Sequence, residues 1–264
     1  MVSRALRPIA LMVMATAVTI GLSAPITANN AADAAGDGFK VGNWTGTDGK
    51  NHRIRWNPCQ SAVTYAVNAQ LAGGTASARD AAVADARTAF QRVSNRTGIP
   101  FRFAGRTDEI PLNGKVDSWS TRLKSAEIVV AWVDQSRAKY QSNLMTSSGG
   151  SYPSGVGGWM LRTWTDAAGH SQGAIGRGFV VINSGHNSLY KAGFGPGVTR
   201  GALLLHEIGH AVGLSHVGTT SEIMYPTMLD RGSSRYKDGD RTGLHLVGRS
   251  LGCIPGASDM WPQI

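Results

Sequence analysis

A chain of 264 residues with 42% apolar and 16% charged residues is long enough to bury a large core and too apolar to be a disordered polymer. With 34 Gly and 10 Pro it stays short of low-complexity composition, and collagen-like, coiled-coil and polytopic membrane classes are excluded. The formal net charge of +9 suits anionic surfaces such as cell-wall polymers, or plain solubility; without a Lys/Arg cluster it gives no nucleic-acid footprint.

Arg4 and Arg7 precede the uncharged run Ile9–Leu22, and small residues follow at Ser23, Ala24, Ala28, Ala31 and Ala32. This pattern predicts a secretory signal peptide over residues 1–32, cleaved between 24 and 35. The run is short of the roughly 20 residues that span a membrane; an uncleaved anchor is the alternative. Residues 33–52, rich in Ala, Asn, Asp, Gly and Thr without periodicity, read as a flexible arm, and 53–264 as one domain. Two cysteines, Cys59 and Cys253, form an even, small count. In a secreted chain this reads as a disulfide tying the first strand region to the C-terminal tail, two free buried thiols being the alternative.

Val63, Tyr65 and Val67 alternate with smaller residues, a period-two strand closed by Gly73–Gly74. Val83, Ala86, Phe90 and Val93 recur at helical steps; Thr75 or Ser77 caps this helix and Gly98–Ile99–Pro100 ends it. Phe101 and Phe103 suggest a second short strand. The continuous apolar run Ala126–Val133 suits a strand covered on both faces. Residues 146–158 read as a Gly/Ser loop, with strands expected over Trp159–Trp164 and Gly178–Ile182. Gly176–Ile182 is either a sheet edge able to pair with an extended peptide or an inner strand. The Gly-rich stretch 193–197 leads into a helix that lacks the Lys-Ser/Thr of a phosphate loop, so a plain turn is expected. That helix runs over Thr199–Leu214, with a stripe of Leu204, Ile208, Ala211 and Val212 and Gly213 at its end. A last helix is expected over Asp240–Arg249. The order is that of one mixed α and β domain.

The informative stretch is His206-Glu207-Ile208-Gly209-His210-Ala211-Val212-Gly213-Leu214-Ser215-His216. On a helix, residues i and i+4 share a face, so His206 and His210 point at one metal ion. Glu207 stands beside that ion without ligating it. Gly213 can take a positive φ, ending the helix and swinging the chain back so that His216 reaches the same ion. Three neutral imidazoles with an open fourth position suit catalytic zinc. Such an ion activates water and polarises a carbonyl, and Glu207 would shuttle the proton to the leaving amine of a cleaved amide.

With these five fixed positions the sequence resembles the metzincin zinc endopeptidases. Ser221-Glu222-Ile223-Met224-Tyr225-Pro226 is similar to that family's Met-turn, its wording closest to the matrixin branch. Asp240-Arg241-Thr242-Gly243-Leu244 resembles the matrixin C-terminal helix, in which an aspartate anchors the Met-turn backbone; Asp240 takes that role by resemblance, a helix N-cap being the alternative. The specific motifs cover about Thr199–Gly248, and a looser resemblance begins near Arg53. It implies an α+β, zincin-like catalytic domain, a twisted mixed sheet carrying an active-site helix and a C-terminal helix. It further implies a secreted, extracellular, monomeric zinc endopeptidase of the bacterial type, acting on protein or peptide and meeting a membrane only during secretion. One catalytic Zn2+ is expected, and Ca2+ is left open. Neither a cysteine-containing propeptide motif nor an appended domain is expected. Of the remaining histidines, His52, His170, His186 and His245, only His170 and His186 merit a test for a second metal. Tyr225 either reaches a substrate oxyanion or lines the pocket. Two other functions fit the same residues: a secreted zinc-binding interaction module without turnover, against which Glu207 speaks, and a zinc amidase acting on cell-wall peptides.

Overall fold

The computed structural model describes residues 12–14, 38–112 and 126–257. Eight strands are present among them: β1 (Met12–Met14), β2 (Asn43–Thr45), β3 (Asn51–Arg53), β4 (Val63–Asn68), β5 (Phe101–Arg106), β6 (Ile128–Val133), β7 (Gly155–Thr165) and β8 (Ser171–Asn183). Three α-helices accompany them: α1 (Ala76–Thr97), α2 (Arg200–Ala211) and α3 (Asp238–Leu246). One mixed sheet has the order β1-β7-β8-β6-β4-β5; β8, β6, β4 and β5 run parallel, and β7 lies antiparallel to β8 and β1. The fold is α+β. The expected signal peptide lies outside the described residues apart from β1, which pairs with Trp159–Leu161 of β7.

The β6 run shows how composition positions the sheet. Its alternate residues serve two cores: Ile128, Val130 and Trp132 join the large cluster under the helices, while Val129, Ala131 and Val133 face a second cluster with Leu144, Met145 and Phe179. A strand buried on both faces has no polar alternation to keep. On the helix side, α1 starts at Thr75, whose Oγ1 accepts from the Ala78 N–H at 3.1 Å, and ends at Gly98 with φ +69°. It lays Phe90 on Tyr65 with ring centroids 3.8 Å apart. The Cys59–Cys253 disulfide is present, with S–S 2.03 Å, and joins the segment before β4 to the C-terminal tail.

Four expectations change, and one open alternative is resolved. The arm expected as flexible over 33–52 is packed from Gly38 onward: Val41 is buried and bridges Leu214, and β2 and β3 form a hairpin. Its stabilisation comes from backbone pairing with a distant loop, which leaves no periodic signal in sequence. The expected Gly/Ser loop over 146–158 ends earlier, since β7 begins at Gly155. Gly176–Ile182 is an inner strand, because β8 is flanked by β6 and β7. The helix expected over Thr199–Leu214 stops at Ala211, and that expected over Asp240–Arg249 begins and ends earlier, at Asp238–Leu246.

Candidate active site

Helix α2 is buried from Gly201 to its end at Ala211. Thr199 opens it, its Oγ1 accepting from the Ala202 N–H at 3.1 Å. Trp56 Nε1 donates to the Ala211 carbonyl at its other end, at 3.0 Å. One turn apart, His206 and His210 project from the same face. At Gly213 φ is +108°, and a Cβ there would stand 2.4 Å from the Ile54 carbonyl oxygen. Only glycine gives both the left-handed turn and that approach. The chain then folds back: the Leu214 N–H donates to the Gly209 carbonyl at 2.9 Å. The arm secures the return, the Gly42 N–H bonding to Gly213 O and the Ser215 N–H to Lys40 O, each at 2.8 Å.

His216 is thereby brought to the other two rings. The Nε2 atoms lie 3.2 Å apart for His206–His210 and His206–His216, and 3.0 Å apart for His210–His216. The outer nitrogens are committed: His206 Nδ1 donates to Ile223 O at 2.7 Å and His210 Nδ1 to Leu214 O at 2.9 Å. That fixes the tautomer, so two Nε2 lone pairs face each other with no proton between them. A cation relieves this arrangement, and tetrahedral zinc with ligands at about 2.0–2.1 Å spaces its nitrogens by about 3.3 Å. Burial supports the neutral rings. It holds His206 down at about 3, helped by His216, and His216 at about 4, helped by Lys40; His210 is also lowered well below its usual value. The donor set fits zinc. Among the described residues no other group of three His, Cys, Asp or Glu side chains converges in this way. His170 sits 3.5 Å from Asp166, and His186 bonds to Ser154 at 2.9 Å; neither joins a metal cluster, and nothing described supports calcium.

Glu207, beside His206 on α2, is only 2% exposed, and its Oε2 has no hydrogen-bond partner. Burial pushes its carboxyl up to about 8, while a hydrogen bond from the Gly157 N–H pulls the other way. Met224 is buried, and its Sδ packs so closely on Gly209 of α2 that a Cβ there would stand 2.5 Å away. Asp240 is the third residue of α3, not its N-cap. Its Oδ2 accepts from the Ile223 N–H at 2.7 Å and the Lys237 N–H at 3.3 Å, and its Oδ1 from the Met224 N–H at 3.2 Å. Burial, with Glu222 adding to it, raises its carboxyl to about 7.

Next to Glu207 opens a pocket of about 320 Å³ with a largely apolar lining, including Leu189, Tyr190, Leu203, Pro226 and Met228. Arg231 braces the loop that forms one wall, donating from Nε to Thr220 O at 2.8 Å, from Nη2 to Thr227 O at 3.1 Å and from Nη1 to Leu229 O at 3.3 Å. Tyr225 is half-buried and is not among the residues lining this pocket. A wider depression of about 1000 Å³, lined by Glu109, Gln135, Lys139 and Tyr152 among others, shares no residue with the histidine site. Sequence reasoning missed Trp56 and the arm, whose contributions are contacts to backbone across long separations, and it missed Arg231, Gly155 and Gly157.

A mixed sheet, a buried helix carrying two of three converging imidazoles, and a carboxylate beside them resemble the zinc peptidase domains of the metzincin class. Residues 163–247 match the family model described as Matrixin, a segment that spans β8, α2, the Met-turn and α3. The protein is matrixin-like, and that family is one of zinc metalloendopeptidases. No curated protein matches the chain.

Proposed function

We propose that the protein is a secreted endopeptidase in which His206, His210 and His216 hold one zinc ion and Glu207 is the general base and acid. The observation that carries this reading is the meeting of three Nε2 atoms, at 3.0–3.2 Å, beside a buried carboxylate with an unpartnered oxygen. Bound zinc supplies Lewis acidity, lowering the pKa of water towards about 7 and polarising a carbonyl. Glu207 takes the proton of the attacking water through its free oxygen and passes it to the departing amine. The amide C–N bond breaks, the carbonyl carbon gains the hydroxyl, and the amine leaves with the transferred proton. Gly213, Met224 and Asp240 support the site as turn, floor and anchor. The apolar pocket beside Glu207 suits a hydrophobic side chain of an extended peptide. Secretion is supported by the Arg4/Arg7 and Ile9–Leu22 pattern and by the disulfide, a bond of oxidising compartments.

The test uses the purified protein, a fluorescent protein substrate, a zinc chelator and the Glu207→Gln variant. Cleavage that the chelator stops, and that Glu207→Gln loses while retaining stoichiometric zinc, is the expected result. Zinc binding without cleavage by the unaltered protein would make it a binding module. Release of cell-wall peptides without protein cleavage would make it an amidase.

A further inference from the structure

Strand β7 begins Gly155-Val156-Gly157-Gly158, although glycine in a strand interior adds entropy cost and packs nothing. The usual physical reason is the close approach of another group, and here that group is Glu207. Gly155 and Gly157 are two residues apart, so they present the same face of β7. A Cβ on Gly155 would stand 2.6 Å from Glu207 Oε1, 2.8 Å from its Cγ and 2.9 Å from its Cδ. A Cβ on Gly157 would stand 2.0 Å from the Glu207 carbonyl oxygen and 2.8 Å from its Cα. One glycine therefore seats the backbone of Glu207 against the strand, and the other borders Oε1 of its carboxylate, the unpartnered oxygen being Oε2. Strand β1 pairs with Trp159–Leu161 and leaves this stretch alone.

We propose that Gly155 and Gly157 are positioning residues for Glu207, the missing side chains forming a slot that fixes where its carboxylate stands. The inference rests on the proposed role of Glu207 and adds the device that aims it. The two glycines differ in what a methyl would do. At Gly157 it meets backbone, which cannot step aside. At Gly155 it meets the far end of a side chain, which can, so Gly155→Ala redirects the carboxylate while leaving the fold able to form.

The expected result for zinc-loaded Gly155→Ala is a kcat lower by about a hundredfold, the scale of a 1 Å misplacement of a reacting group, with KM and zinc stoichiometry unchanged. A merely structural role would not split kcat from KM in this way. A melting cycle reads the contact independently of turnover. Gly155→Ala lowers Tm when Glu207 is intact; in a Glu207→Ala background the methyl occupies vacated space and Tm does not fall. Should Gly155→Ala alone fail to fold, folding of Gly155→Ala/Glu207→Ala supports the slot, and failure of both overturns it. An unchanged kcat, or the same fall of Tm in both backgrounds, also overturns it. The proposed function fails on a different result, turnover retained by Glu207→Gln, so the two failures are distinguishable.

Discussion

Asp240→Ala removes a carboxylate that lies 1% exposed and accepts the N–H groups of Ile223 and Met224. Alanine leaves both donors buried without partners, at about 1–3 kcal/mol each. The Lys237 N–H, at 3.3 Å, loses a weaker bond. An offset exists, since Glu222 no longer faces a second buried carboxylate, while its own bond from the backbone N–H of residue 240 survives. The net is about 2–5 kcal/mol, or roughly 5–15 °C in Tm for a domain of this size. The effect reaches the histidines, because the Ile223 carbonyl holds His206 Nδ1. Loosening a partner that orients a metal ligand costs about 10–100-fold in metal affinity. Calorimetry of the zinc-loaded and metal-free forms gives the first quantity, and competition with a chromophoric chelator gives the second. Asp240→Asn, which keeps one acceptor, is expected to fall between. Unchanged Tm together with unchanged zinc affinity would refute the chain of contacts from α3 through the Met-turn to His206.

Gly213→Ala is expected to destabilise by about 1–3 kcal/mol for the backbone strain alone, with further loss from the contact at Ile54 O. Gly49→Ala, also at positive φ (+72°) but in open space, is the control, and equal losses by thermal melting would contradict the crowding. His206 and His216 titrate at about 3 and about 4 in the metal-free fold, against 6.5 for the exposed ring. The fold thus favours their neutral form, and its stability is present above about pH 6.5 and lost as pH falls towards 4. Chelated protein should melt progressively lower across that window, less steeply in His210→Gln; identical slopes in the two proteins would refute the assignment. Cys59→Ser is expected to cost about 2–5 kcal/mol in an oxidising buffer. A melting temperature that neither falls on substitution nor responds to reductant would show that the bridge contributes nothing.

The elements that chain chemistry specifies strongly were readable. The β6 run is apolar throughout because both of its faces are covered, and α1 declares itself by its stripe, its threonine cap and its terminal glycine. The spacing of His206, Glu207, His210, Gly213 and His216 contains the geometry of the site almost in full, since helix pitch and one permissive turn do the rest. What escaped was whatever depends on partners far away in sequence. Residues 38–52 look like a linker because they lend backbone hydrogen bonds to the Gly213 turn rather than a periodic apolar face. The Gly155–Gly158 stretch looks like a loop because glycine signals flexibility when its neighbour is solvent and confinement when its neighbour is Glu207. Sequence alone does not say which.

The pairing of Lys40 and Gly42 with the loop that carries His216 has a bearing on maturation. Trimming upstream of residue 38 leaves every one of these contacts whole. A cut just beyond Gly42 would strip away the segment whose backbone hydrogen bonds keep the third imidazole in register.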